Sequence, residues 1–164
     1  MAQKSKEELF NELKQRAEQG NKEAQFIVGE KYWCDGKNSD AMYFLRKAAK
    51  QNHAEAQLLL AKVLYDQGCD DEARHWVCCA HLNGNTEAAN LMNKIIELYE
   101  GISESSGERH YYKFQEHIAL VQKLGINYDY VMQEKDKQNK RVLCIVAVSI
   151  AIGLYVLCAI IGII

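Results

Sequence analysis

The chain of 164 residues has no proline, and its formal charge of -2 carries no excess of either sign. Without proline, no helix interior is forced to break by a missing N–H. Without a basic excess, there is no electrostatic footprint for a phosphate backbone, which excludes nucleic acid as a partner. Nor is there a glycine-rich loop of the phosphate-cradling type. Gly101-Ile102-Ser103-Glu104-Ser105 lacks the second glycine of a nucleophile elbow and follows no strand-like segment. No carboxylate pair stands apart from ordinary helix-surface charge. The sequence therefore points away from an enzyme and implies no cofactor. The first residues, Met1 to Gly20, are too charged for a secretory signal.

One long apolar run is present. From Val142 to Ile164 the chain has no Asp, Glu, Lys, Arg, His, Asn or Gln, and only Ser149, Gly153 and Gly162 break the run. As a helix rising about 1.5 Å per residue, such a run reaches the roughly 30 Å of a bilayer core. Lys135, Lys137, Lys140 and Arg141 precede it as a basic membrane flank. These features predict a single-pass, tail-anchored protein with a cytosolic head, in the endoplasmic reticulum or a bacterial inner membrane. Ser149 and Gly153, one helical turn apart, offer a small-residue face for self-association of the span into a homo-oligomer. Of the six cysteines, Cys34, Cys69, Cys78 and Cys79 then face a reducing compartment, which speaks against a disulfide framework.

The rest of the chain repeats. Ala24, Ala56 and Ala88 stand at one constant interval, and the same interval separates Gly36 from Gly68, Ala41 from Ala73, and Ala48 from Ala80. Gly20, Asn52 and Gly84 follow the same period and read as left-handed helix stops. Small residues at a fixed interval let neighbouring helices approach closely, as stacked helical hairpins require. Ser5 with Glu8 forms a capping-box pattern at the start of a first helix. Tyr111, Phe114, Ile118, Val121 and Leu124 recur at helical spacing and are suited to cover the open end of a stack. The expected organisation is all-α: an N-terminal capping helix over 1–19, repeats over 20–100, a loop and capping helix over 101–126, a juxtamembrane helix over 127–141 and the transmembrane anchor over 142–164.

The junction Lys47-Ala48-Ala49-Lys50-Gln51-Asn52-His53-Ala54-Glu55-Ala56 resembles that of Sel1-like repeats. Ala24, Gly29, Tyr32, Ala41 and Phe44 match in the first unit, and Ala56, Ala61, Ala73, Trp76 and Ala80 in the second. The Gly-x-Gly-Val turn of that family is missing, and the short unit is similar to a tetratricopeptide repeat without its terminal proline. Either resemblance implies a short α-solenoid of antiparallel helix hairpins with a concave protein-binding face. It implies a partner-binding groove at Glu23, Phe26, Glu30 and Trp33, then Glu55, Leu58, Lys62 and Tyr65, then Glu87, Asn90, Lys94 and Glu97. This set is rich in glutamate, unlike a carboxylate clamp, and fits a basic or amphipathic protein segment with aromatic anchors.

His75, Cys78, Cys79 and His81 form the one metal-like cluster. On a helix only His75 and Cys79 share a face, so the four do not converge on one ion and no metal site is expected. The functional expectation is a tail-anchored adaptor that recruits or regulates a protein partner at the cytosolic face of a membrane. The alternatives are a bacterial effector or toxin-immunity factor with Sel1-like repeats, and a structural membrane-complex subunit.

Overall fold

In this proline-free chain the helix ends are made by residues in the left-handed region. The computed structural model describes residues 5–100 and 104–161, with most side chains as far as Ile152. Eight helices lie among them: α1 (Lys6–Glu18), α2 (Lys22–Cys34), α3 (Asn38–Ala49), α4 (Ala54–Asp66), α5 (Asp70–Leu82), α6 (Thr86–Glu100), α7 (Glu104–Leu124) and α8 (Tyr128–Ile161). Positive φ occurs at Gly20, Gly36, Asn52, Gly68 and Gly84, which are evenly spaced at half the alanine period. Past each, an N–H reaches back to a carbonyl in the last turn of the helix: Asn21 to Arg16, Lys37 to Tyr32, His53 to Ala48, Cys69 to Leu64 and Asn85 to Ala80. This is the Schellman closure, which satisfies carbonyls that a helix end would otherwise orphan. Asn52, the one non-glycine, has φ 61°, a conformation Asn tolerates better than most side chains.

The following helix starts equally regularly. Asn21 caps α2 by accepting the Ala24 N–H at 2.8 Å, His53 Nδ1 accepts that of Ala56 at 3.3 Å, and Asn85 accepts that of Ala88 at 3.1 Å. Helices α2, α4 and α6, beginning at Lys22, Ala54 and Thr86, thus start at equal intervals, as the alanine period predicts. At the N-terminus Ser5 and Glu8 do form the reciprocal capping box.

Packing follows the chain order. Helix α1 lies on α2, α2 on α3, α3 on α4, α4 on α5, and α5 on both α6 and α7. Ala17, Ala24, Ala41, Ala48, Ala56, Ala73, Ala80 and Ala88 are all buried, which places the small residues of the period at the helix contacts. A Cβ at Gly29 would stand 2.8 Å from the Leu45 Cγ, so α2 and α3 approach there at the distance only glycine permits. Two buried glutamines join consecutive units. Gln25 donates to the Ala17 carbonyl at 2.9 Å, and Gln57, one period further on, donates to that of Ala49 at 3.0 Å. Gln51 and Asn83 then donate to the Gln25 and Gln57 side-chain oxygens, each at 2.8 Å.

Residues 101–107 are expected from composition to be a loop, yet α7 already begins at Glu104, while 101–103 lie outside the described residues. Phe114 and Val121 on α7 are buried as a covering helix requires, and Tyr111 is exposed.

The fold divides between Asn127 and Tyr128 into two compact units, the second holding α8. In α8 the charged turns ending at Arg141 continue unbroken into the apolar residues from Val142. Among the described residues, no helix is long and apolar enough to cross a membrane. That finding corrects the expected transmembrane helix over 142–164, and with it the membrane as a partner, the tail anchor, the cytosolic-head topology and the endoplasmic reticulum or bacterial inner-membrane address. The first fourteen residues of α8, Tyr128 to Arg141, are rich in charge, so only part of this helix is apolar. Residues 162–164 of the expected span lie outside the described residues.

The basic flank has a local role instead. Lys137 pairs with Glu134 at 3.6 Å and Lys140 with Asp136 at 2.6 Å, both along the helix, while Lys135 is half-buried and Arg141 exposed. Ser149 spends its hydroxyl on the Ile145 carbonyl one turn back, at 2.9 Å. The surroundings of Gly153 lie outside the described residues.

Candidate functional site

The register of α2, α4 and α6 decides which side chains meet. Phe26, Glu30 and Trp33 recur along one stripe of α2, and Glu55, Leu58 and Lys62 along one stripe of α4, at the three- and four-residue spacing of a helix face. Together with Leu59, Asn85 and Glu87 they line a groove of about 630 Å³, counting its space open to solvent. Seven of the twelve residues expected to bind a partner are thereby brought together. Leu58 is buried in the floor, while Trp33 is 39% exposed at the wall. Phe26 stacks on the His53 ring with centroids 4.7 Å apart, which fixes it beside the α4 cap.

The charge of the groove is unequal. Lys62 reaches Glu87 at 3.4 Å and so ties α4 to α6. Glu55 lies 3.2 Å from His53 Nδ1, and Glu30 is exposed without an ion-pair partner among the described residues. One cation therefore faces three carboxylates.

The other five expected residues lie elsewhere. Glu23 is exposed at the start of α2, 4.0 Å from Lys22. Asn90, Lys94 and Glu97 are exposed on α6 and do not line the groove. Tyr65 lines a different pocket with Asp70, Arg74, Leu91, Ile95 and Phe114. There Arg74, 7% exposed, has its guanidinium held by Asp71 at 2.7 Å and 5.7 Å from the centre of the Phe114 ring.

The cluster on α5 is a packing site. His75 and Cys79 do share a face, with Nε2 and Sγ 3.5 Å apart, but the Cys78 thiol turns to the Phe114 carbonyl at 4.0 Å and His81 is exposed. His75 meets a residue that spacing along α5 does not reveal, His117 on α7, at 3.1 Å, and its Nε2 lies 3.1 Å from the Ile126 carbonyl. A carbonyl only accepts, so in the neutral pair His75 keeps its proton on Nε2 and accepts at Nδ1 from His117. Burial lowers the His75 pKa, against the opposing effects of the Ile126 hydrogen bond and Glu72. Burial raises the Cys79 pKa, with Cys78 adding to it. A buried thiol held protonated is a poor nucleophile and a poor metal ligand. Among the described residues no group of three His, Cys, Asp or Glu side chains is placed to hold a metal ion.

No family model matches the chain, and neither a curated protein nor a solved structure matches it.

Proposed function

We propose that the chain is a helical-repeat interaction module, Sel1-like or tetratricopeptide-like in plan, that acts by holding a segment of a protein partner in the groove between α2, α4 and the start of α6. It works as an adaptor, by binding and without chemistry of its own. The observation that carries this reading is the convergence of Phe26, Trp33, Glu30 and Glu55 around the Leu58 floor. Aromatic side chains at a rim and an apolar floor supply anchor energy, and flanking carboxylates select the sign of the partner's charge. The partner is a protein with a basic, amphipathic segment.

Screening the full chain against peptides of graded charge tests this. Basic amphipathic peptides bind, and Trp33→Ala weakens them at least about fivefold, a loss of roughly 1 kcal/mol. Arg46→Ala, on α3 away from the groove, leaves binding unchanged. A preference for acidic peptides would sink the proposal.

A further inference from the structure

The three repeat junctions are capped by equivalent residues, and the middle one differs in kind. Asn21, His53 and Asn85 follow the repeat period, and each accepts the N–H three residues on. The flanking glutamates Glu23 and Glu87 lie near lysines, Lys22 at 4.0 Å and Lys62 at 3.4 Å. Glu55 instead lies 3.2 Å from the cap itself, at His53 Nδ1. An asparagine amide holds no titrating proton, whereas an imidazole changes its charge between about pH 5 and 8.

One nitrogen thus has two neighbours with opposite requirements. The Ala56 N–H, at 3.3 Å, needs the lone pair of Nδ1, while the Glu55 carboxylate, at 3.2 Å, needs a proton on it. In the neutral ring Nδ1 caps α4, and Glu55, with its side chain 65% exposed, keeps its charge for another cation. In the imidazolium Nδ1–H donates to Glu55, the Ala56 N–H loses its acceptor, and the carboxylate is neutralised. The Phe26 ring, stacked 4.7 Å away, attracts the charged form of the imidazole through its face. Phe26 and Glu55 both line the groove, so the charge of this ring bears on what the groove holds.

The charged groups of the surrounding helices are otherwise engaged or exposed. On α2, Lys22 and Glu23 pair with each other, and at the end of α3 Lys50 is exposed. On α5, whose end reaches α4 through Asn83 and Gln57, His81 is exposed. Further along α4, Lys62 is drawn to Glu87.

We propose that His53 is a positioning residue that sets how strongly the groove holds a basic segment. Neutral, it leaves the Glu55 carboxylate to the partner's cation; protonated, it takes that carboxylate and adds a positive charge at the rim. This rests on the groove being the partner site. Binding is strongest at neutral pH and above, and weakens on acidification.

The test uses the full chain and one fluorescent peptide of lysine, leucine and serine with blocked termini, whose charge is constant from about pH 7.5 to 5.5. Read by polarisation, the parent binds it about fivefold more weakly at the lower pH. His53→Asn, which keeps a cap without a titrating proton, changes less than about twofold over the same range. His75→Gln, which removes the buried imidazole of α5, keeps the parent's fall. Nitrogen NMR of the parent shows His53 Nδ1 as an acceptor at the higher pH and as a proton-bearing nitrogen at the lower. An equal fall in the parent and His53→Asn, no fall in the parent, loss of the fall in His75→Gln, or a proton already on Nδ1 at the higher pH would each overturn the role of His53 and leave the groove reading standing. Failure of the parent to bind the peptide at the higher pH would overturn the groove reading itself, and the role of His53 with it.

Discussion

Helices α3 and α5 are the same element in successive units, and their outer faces differ completely. On α3 that face carries Tyr43, Arg46 and Lys47, with Tyr43 54% exposed and Lys47 donating to its hydroxyl at 2.7 Å. The corresponding residues of α5 are His75, Cys78 and Cys79, all buried, in an unbroken run of buried positions from Ala73 to Ala80. The cause is α7, which packs on α5. Under α7 the places of Arg46 and Lys47 are taken by small sulfur side chains and that of Tyr43 by an imidazole whose two nitrogens both find partners, while Arg74, the long cation that α5 does bury, is held by Asp71. Histidine and cysteines close together in a repeat protein are thus as much a mark of burial as of metal chemistry. The comparison extends inward. Where α2 and α3 meet, Gly29 faces Leu45; the equivalent positions of the next unit carry Ala61 and Val77, the methyl gained on one side matched by the carbon lost on the other.

Perturbing one unit at a time sharpens this comparison. The largest effect is expected at the buried glutamines. Gln57→Leu strands the Ala49 carbonyl and the Asn83 amide and costs about 2–4 kcal/mol in chemical denaturation. Gln25→Leu costs less, because of the two exposed outer partners, Gln51 and Asn83, Gln51 already has a second acceptor in reach, the Gly20 carbonyl. Equal losses would mean that this second acceptor does not grade the two junctions. Next comes Gly29→Ala, which pushes a methyl into Leu45 and destabilises by about 1–3 kcal/mol. Adding Leu45→Val, so that the first unit copies the second, recovers part of that loss; a double-mutant cycle with no coupling would refute the exchange.

The third expectation concerns pH. The folded pKa of His75 is lowered, so the unfolded chain takes up a proton near pH 6.5 while the folded chain still resists it. Stability from this residue is complete above that pH and falls as the pH drops below it. His75→Gln, which can both donate and accept, flattens the dependence between pH 7 and 5 relative to the parent, whereas Tyr43→Gln at the matching exposed position does not. The smallest effect is at the caps. Asn21→Ala costs about 1 kcal/mol, and His53→Asn, which gives the middle junction the same cap as its neighbours, gains a few tenths. Thermal unfolding of the two variants side by side resolves that difference in sign.

The hairpin stack was legible because its signals are local. The alanine period, Ser5 with Glu8, and the stops at Gly20, Asn52 and Gly84 each act within a turn or a junction, and α2, α4 and α6 begin where they say. Other features depend on partners far along the chain. His117 is 42 residues from His75, and nothing in the α5 pattern announces it. Gln25 and Gln57 carry a signal that could have been found, since two glutamines on the repeat period between buried residues mark a polar stitch better than a solvated face. Of the expected groove residues, Phe26, Glu30 and Trp33 on α2, Glu55, Leu58 and Lys62 on α4 and Glu87 on α6 line one groove, while Glu23, Tyr65, Asn90, Lys94 and Glu97 stay outside it. The 142–164 segment shows the limit of composition. An apolar run names the solvent that its residues would prefer, and among the described residues no helix meets the length and apolarity that crossing a membrane requires.

The evenly spaced left-handed stops make the chain divisible. Every cut at Gly20, Asn52 or Gly84 leaves behind a closed helix end and presents a ready side-chain cap to whatever follows. A whole unit excised between Asn52 and Gly84, or duplicated there, would join like to like. The groove length is therefore something that recombination can change in steps of one helix pair, without redesigning a single junction.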